Sequence, residues 1–170
     1  MGATLKLFSR SKLDTSAVVR SIHSIIDDTP LMAMGTASRR NIPHINNAFF
    51  FLDNDFRLGF LSFRSARHIR NVVTSPKAAV SIASSNHTWG QPLKGVQLFG
   101  SIYEVDSAAK TDFFGRYIAR FSKAKAYCDI LLVSTRSNTA KPFYFEMRRF
   151  KLIDEPHFGE ETYIHGYIQR

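Results

Sequence analysis

Residues 58–83, LGFLSFRSARHIRNVVTSPKAAVSIA, leave the chain few choices of fold. An apolar run ends at Ser62, a short loop carries Arg64 and Ser65, and helical spacing begins with Arg67 and His68. Ser75-Pro76 stops that helix, and a second apolar run follows from Lys77. Strand, basic turn, helix and strand thus succeed one another within 26 residues. A helix start offers backbone N–H groups with no intrahelical acceptor, and here it is joined by a hydroxyl and two or three cationic side chains. Such a turn suits a phosphorylated ligand. The plain alternative, a solvated basic connection between two strands, stays open at this point.

The neighbouring segments extend the β reading. Leu31–Thr36, His44–Leu52 and Phe56–Ser62 read as strands, the last two joined as a hairpin by Asp53-Asn54-Asp55. Lys77–Ser84 and Leu93–Val105 follow, separated by the turn-rich loop NHTWGQP, and Gly95 and Gly100 mark bends or bulges in the longer strand. Phe143–Ile153 alternates apolar and polar residues, and Tyr163–Ile168 is a final short strand. Helical spacing appears at Asp14–Asp28 and from Asp106-Ser107 to about Lys125, while residues 126–141 fit either strand or helix. Fifteen Phe, most of them inside the strand runs, call for a packed β core. Six or seven antiparallel strands in one core favour closure, which removes exposed edges. The expected fold is mainly β: a Greek-key split β-barrel of antiparallel strands with peripheral helices. Residues 1–13 read as a loose basic N-terminal arm and 14–170 as a single domain.

Several chemistries have no residues to carry them. Cys128 is the only cysteine, so an internal disulfide or a Cys-rich zinc site is excluded. The six histidines, at 23, 44, 68, 87, 157 and 165, show no metal-ligand spacing, and no nucleophile–base motif occurs. An enzyme built this way would take its chemistry from a cofactor. The formal charge of +9 is spread along the chain without a run of five like charges, which reads as solubility more than a nucleic-acid tract. No apolar stretch reaches the length of a membrane span, and the N-terminus lacks a secretory pattern, so a cytoplasmic protein is expected.

The order of three motifs resembles a known family. Ser62…Arg67-His68, then Lys94-Gly95-Val96-Gln97…Gly100, then Tyr117…Arg120-Phe121 are similar to motifs of the FMN-binding split-barrel proteins, the pyridoxamine 5′-phosphate oxidase-like superfamily, and within it to a small bacterial subgroup. The resemblance covers about residues 15–155. It implies an FMN phosphate held by Ser62, Arg67 and His68, with Arg64 and Ser65 assisting from the same turn. His68 stands where many relatives have Lys. The flavin ring would lie along Asn46, Asn47, Ala48 and Phe49, with Gln97 as a side-chain partner. The resemblance further implies a homodimer with the flavin at the interface, where Trp89 of one chain would cover the ring of the other. The implied activity is an oxidoreductase passing hydride or electrons through FMN to a small-molecule donor or acceptor, with no side chain assigned as acid or base. A pyridoxamine 5′-phosphate oxidase has an arginine where Asn46 stands and an Arg-rich C-terminal element; this chain ends IHGYIQR, so vitamin B6 oxidation is not expected. Two other readings stay open. One is a flavin or haem carrier with His44, His87 or His165 as axial ligand. The other is a basic nucleic-acid-binding barrel with stacking Phe residues.

Overall fold

The computed structural model describes residues 2–8, 13–84, 86 and 88–170; His87 lies outside them. Among the described residues the strands are β1 (Thr4–Leu7), β2 (Leu31–Ala37), β3 (Pro43–Leu52), β4 (Arg57–Ser62), β5 (Lys77–Ala83), β6 (Lys94–Glu104), β7 (Lys141–Asp154) and β8 (Tyr163–Gln169). Every pairing is antiparallel. The order β7-β4-β3-β2-β5-β6 closes on itself because β6 also pairs with β7, giving a six-stranded barrel; β8 and β1 extend the sheet beyond β7. β2, β3 and β4 form a meander, and β5 returns to lie beside β2, which is the Greek-key arrangement expected.

The helices are α1 (Thr15–Asp28), α2 (Arg67–Thr74), α3 (Lys110–Arg120), α4 (Lys125–Val133) and α5 (Glu155–Phe158). Residues 126–133, open to two readings in sequence, are helical in α4. The helix expected from Asp106 to Lys125 is interrupted at Phe121, whose non-helical backbone ends α3. The N-terminal arm needs a correction. Thr4–Leu7 is a strand paired with β8, and Leu5 is buried in the barrel core. Its partner lies at the opposite end of the chain, and four residues show too little alternation to read.

Side chains from all six strands fill the barrel, among them Met32, Met34, Phe50, Leu58, Phe60, Leu98, Phe145 and Phe150, each at most 1 % exposed. A packed interior has no room for a cofactor, so a ligand must bind outside it. The run Phe49-Phe50-Phe51 shows how strand alternation divides labour. Phe50 points into the barrel and Phe51 points out beneath α3, where it meets Phe113 at 5.1 Å between ring centroids. Phe49 is half exposed. Gly59 makes room for Phe51, since a Cβ there would sit 2.2 Å from its ring.

Polar ties hold the helices in place. Asp14 caps α1 by accepting from the Ser16 N–H at 2.9 Å. Arg120 reaches across to the other end of α1, donating to the carbonyls of Ile26 and Thr29, while Lys94 Nζ donates to Ser24 Oγ at 2.9 Å. Two residues of the recognised motifs therefore anchor α1. Asp154, wholly buried at the end of β7, accepts from Ser21 Oγ of α1 and pairs with His157 Nδ1 at 3.0 Å. Among the described residues, no helix is long and apolar enough to cross a membrane.

Candidate functional site

The barrel is split between β3 and β4. β4 pairs with β7 along its whole length, Arg57–Ser62 against Lys141–Glu146, but meets β3 only at Phe50–Leu52. Residues 43–49 of β3 are therefore paired with β2 along one edge and have no ladder partner on the other. Alternate N–H and C=O groups of this segment point into the gap. Asn46, Asn47, Ala48 and Phe49 all lie on it, with Asn46 and Ala48 half-buried and Asn47 and Phe49 exposed. The Asn46 side chain donates to the Asn47 carbonyl at 3.1 Å.

α2 begins where β4 leaves β3. Its Ile69 and Val72 enter the barrel core, and Asn71 Nδ2 donates to Thr36 Oγ1 of β2 at 3.1 Å in a buried contact. This face pins the helix and leaves Arg67 and Arg70 exposed. The N-cap residue is Ala66, and no side chain caps the helix. The first-turn N–H groups thus have no intrahelical acceptor and no capping oxygen, and the helix dipole favours an anion there.

The residues expected to hold phosphate differ in readiness. Arg67 is exposed, at the first position of α2, with no ion pair among the described residues. Ser65 is exposed beside it. Arg64 is committed elsewhere: Nε and Nη2 donate to the two carboxylate oxygens of Glu104, each at 2.7 Å, and this contact raises the guanidinium pKa. Ser62 and His68 are buried and share a hydrogen bond of 2.8 Å between Oγ and Nε2. Burial, and secondarily the charge of His44, push the His68 pKa below its ordinary value, so its neutral form is favoured. The expected pair of adjacent cations opening the helix is thus one cation, Arg67, and one buried neutral imidazole. His44 on β3 stacks against His68 with centroids 6.3 Å apart and planes 6° off parallel.

Two predicted residues lie apart from this cluster. Gln97 is exposed on β6, which is separated from β3 by β2 and β5. Trp89 is wholly exposed in the loop before β6. Sequence reasoning did not assign Thr36, Asn71 or Glu104 to the turn. A polar residue at the fifth position of a short amphipathic helix was the available signal for Asn71; Thr36 and Glu104 are brought in only by tertiary pairing. Among the described residues, no group of three or more His, Cys, Asp or Glu could hold a metal ion.

No protein-family model matches the sequence, and no curated protein does. Solved structures share the fold. A protein related to general stress protein 26, of the pyridoxinephosphate oxidase family, from Clostridium acetobutylicum is 14% identical with a TM-score of 0.64, over 90% of this chain and 95% of that one. The haem-binding protein of Mycobacterium smegmatis is 14% identical at a TM-score of 0.69, covering 86% of this chain; the chain spans about half of that protein, 56%. HutZ, the haem storage protein of Vibrio cholerae, is 17% identical at a TM-score of 0.62, over 75% and 88%. The chain therefore has the split-barrel fold of pyridoxine phosphate oxidase-like proteins, and that fold is seen in proteins described by different ligands.

Proposed function

We propose that the chain is an FMN-binding flavoprotein, an oxidoreductase that works as a homodimer with the flavin at the interface. The observation that carries the reading is the uncapped start of α2 with exposed Arg67, set beside the unpaired edge of β3. The donors fit a phosphate monoester. A guanidinium takes two phosphate oxygens at once, and the first-turn N–H groups add neutral donors aligned with the helix dipole. The open edge of residues 46–49 offers backbone donors and acceptors suited to the polar rim of a flavin ring. Bound FMN would supply hydride or electron transfer to a small-molecule partner.

The chain's own contribution is binding and shielding. Arg67 and the α2 N–H groups neutralise phosphate charge. His68 and Ser62 form the floor of the turn, and a dianion close by would favour the imidazolium, so binding draws a proton onto His68. The dimer is supported by Phe49, an apolar side chain left exposed near the split, and by the exposed Trp89.

A second reading has its own observation. His44 is half-buried at the split beside His68, and two of the solved structures with this fold are described as haem proteins. Absorbance separates the two. The purified chain is mixed with FMN or with haemin and passed through gel filtration. Flavin bands at about 370 and 450 nm at one per chain support the flavin reading. A protein that stays colourless with FMN overturns it, and a retained Soret band after haemin favours His44 as an axial ligand.

A further inference from the structure

A β-bulge on the outside of the barrel turns two consecutive arginines the same way. The register between β6 and β7 pairs Phe99 with Arg149 but Gly100 with Met147, so Arg148 is the extra residue. Regular alternation would send one of the two side chains inward; instead Arg148 and Arg149 are both exposed. Gly100 permits the close approach, since a Cβ there would sit 2.0 Å from the Glu146 carbonyl oxygen. Both arginines line a groove of about 680 Å³ whose wall also carries Lys77 from β5. Lys77 and Arg149 have no ion pair among the described residues, and Arg148 has only an exposed contact with Glu146 at 3.5 Å. No carboxylate lines the groove. Its remaining wall carries the polar residues Thr36, His44 and Ser101 and an apolar part, in which the small Ala79 lies between two larger exposed side chains, Phe99 and Ile45.

Three cations beside a largely apolar wall, with the Glu146 contact of Arg148 as their one ion pair among the described residues, define the ligand by chemistry. The volume falls within the range of small-molecule sites. We propose that this groove binds an amphipathic anion: a flat apolar body lying on Phe99, Ile45 and Ala79, with one acidic group, carboxylate, sulfonate or phosphate, held by Arg148, Arg149 and Lys77. None of these three cations belongs to the α2 turn, so the site stands whether or not the turn holds FMN. The two regions meet at His44, which lines the groove and stacks on His68.

The test uses 1-anilinonaphthalene-8-sulfonate as the probe, titrated by fluorescence into the full chain. Its uncharged counterpart, N-phenyl-1-naphthylamine, reads apolar contact alone. The expected result is saturable binding of the sulfonate that weakens at least about tenfold in the Arg148→Ala/Arg149→Ala double variant, with the neutral probe unchanged. Lys77→Ala, on a different strand, weakens it in the same direction, which guards against a local distortion of the bulge. Three results overturn the proposal: no saturable binding to the unaltered chain, sulfonate affinity within twofold in the double variant, or equal losses for the two probes. FMN binding measured on the same variants stays unaltered, so failure of this site is distinguishable from failure of the flavin reading.

Discussion

Arg67→Ala tests the phosphate site most sharply, because the structure separates its effect on binding from any effect on folding. Arg67 is exposed and makes no ion pair among the described residues, so its truncation leaves no buried group unpaired and should alter stability by no more than about 0.5 kcal/mol. Its loss from a bound phosphate removes charge-assisted hydrogen bonds worth about 1.5–3 kcal/mol. That predicts an FMN dissociation constant roughly 10- to 100-fold higher. Arg64 supplies the internal control. Its guanidinium is held by both Glu104 oxygens, and reaching a phosphate would break two 2.7 Å bonds. Arg64→Ala should therefore change FMN affinity by less than about threefold. Quenching of FMN fluorescence gives both affinities, and thermal melts verify the folds. Equal losses in the two variants, or an unchanged affinity in Arg67→Ala, would refute the reasoning.

Other consequences follow from buried groups. Because the folded His68 pKa lies below its unfolded value near 6.5, the unfolded chain binds more protons in the window between them. Stability of the ligand-free chain should fall as pH drops from about 7 towards 5, and the slope should flatten in His68→Gln; identical slopes by urea denaturation would contradict this. Asp154→Ala strands the buried Ser21 hydroxyl and should cost about 2–3 kcal/mol, a fall of about 5–10 °C in Tm, whereas Asp154→Asn, which keeps an acceptor for Ser21, should cost less. Gly115 in α3 has nothing within 4 Å of an added Cβ, so Gly115→Ala should gain up to about 1 kcal/mol; a lower Tm would mean that the helix face is not open as described.

Periodicity carried most of the architecture. The β2–β6 strands and α1 and α2 appear in sequence as clean runs closed by Pro76, Thr29-Pro30 and the Asp53 turn, all short-range signals. β1 escaped because its pairing with β8 is the longest-range contact of the sheet, and α4 stayed ambiguous because CDILLV is an apolar run without a period. For the site, the sequence placed cations and a hydroxyl in one turn but could not say which faced outward. That depends on Ile69 and Val72 entering the core, which turns His68 inward to Ser62 and leaves Arg67 outside. The competition for Arg64 is set by Glu104, forty residues away, and invisible to local pattern. Gln97, read as a ring partner, lies two strands from β3 in the sheet but lines the same surface depression as Ile45 of β3.

The most direct test compares FMN with riboflavin, which differ only in the phosphate. If the start of α2 and Arg67 bind that group, riboflavin should bind at least about a hundredfold more weakly to the unaltered chain, and this difference should shrink in Arg67→Ala. Equal affinities for FMN and riboflavin would contradict the account at its centre.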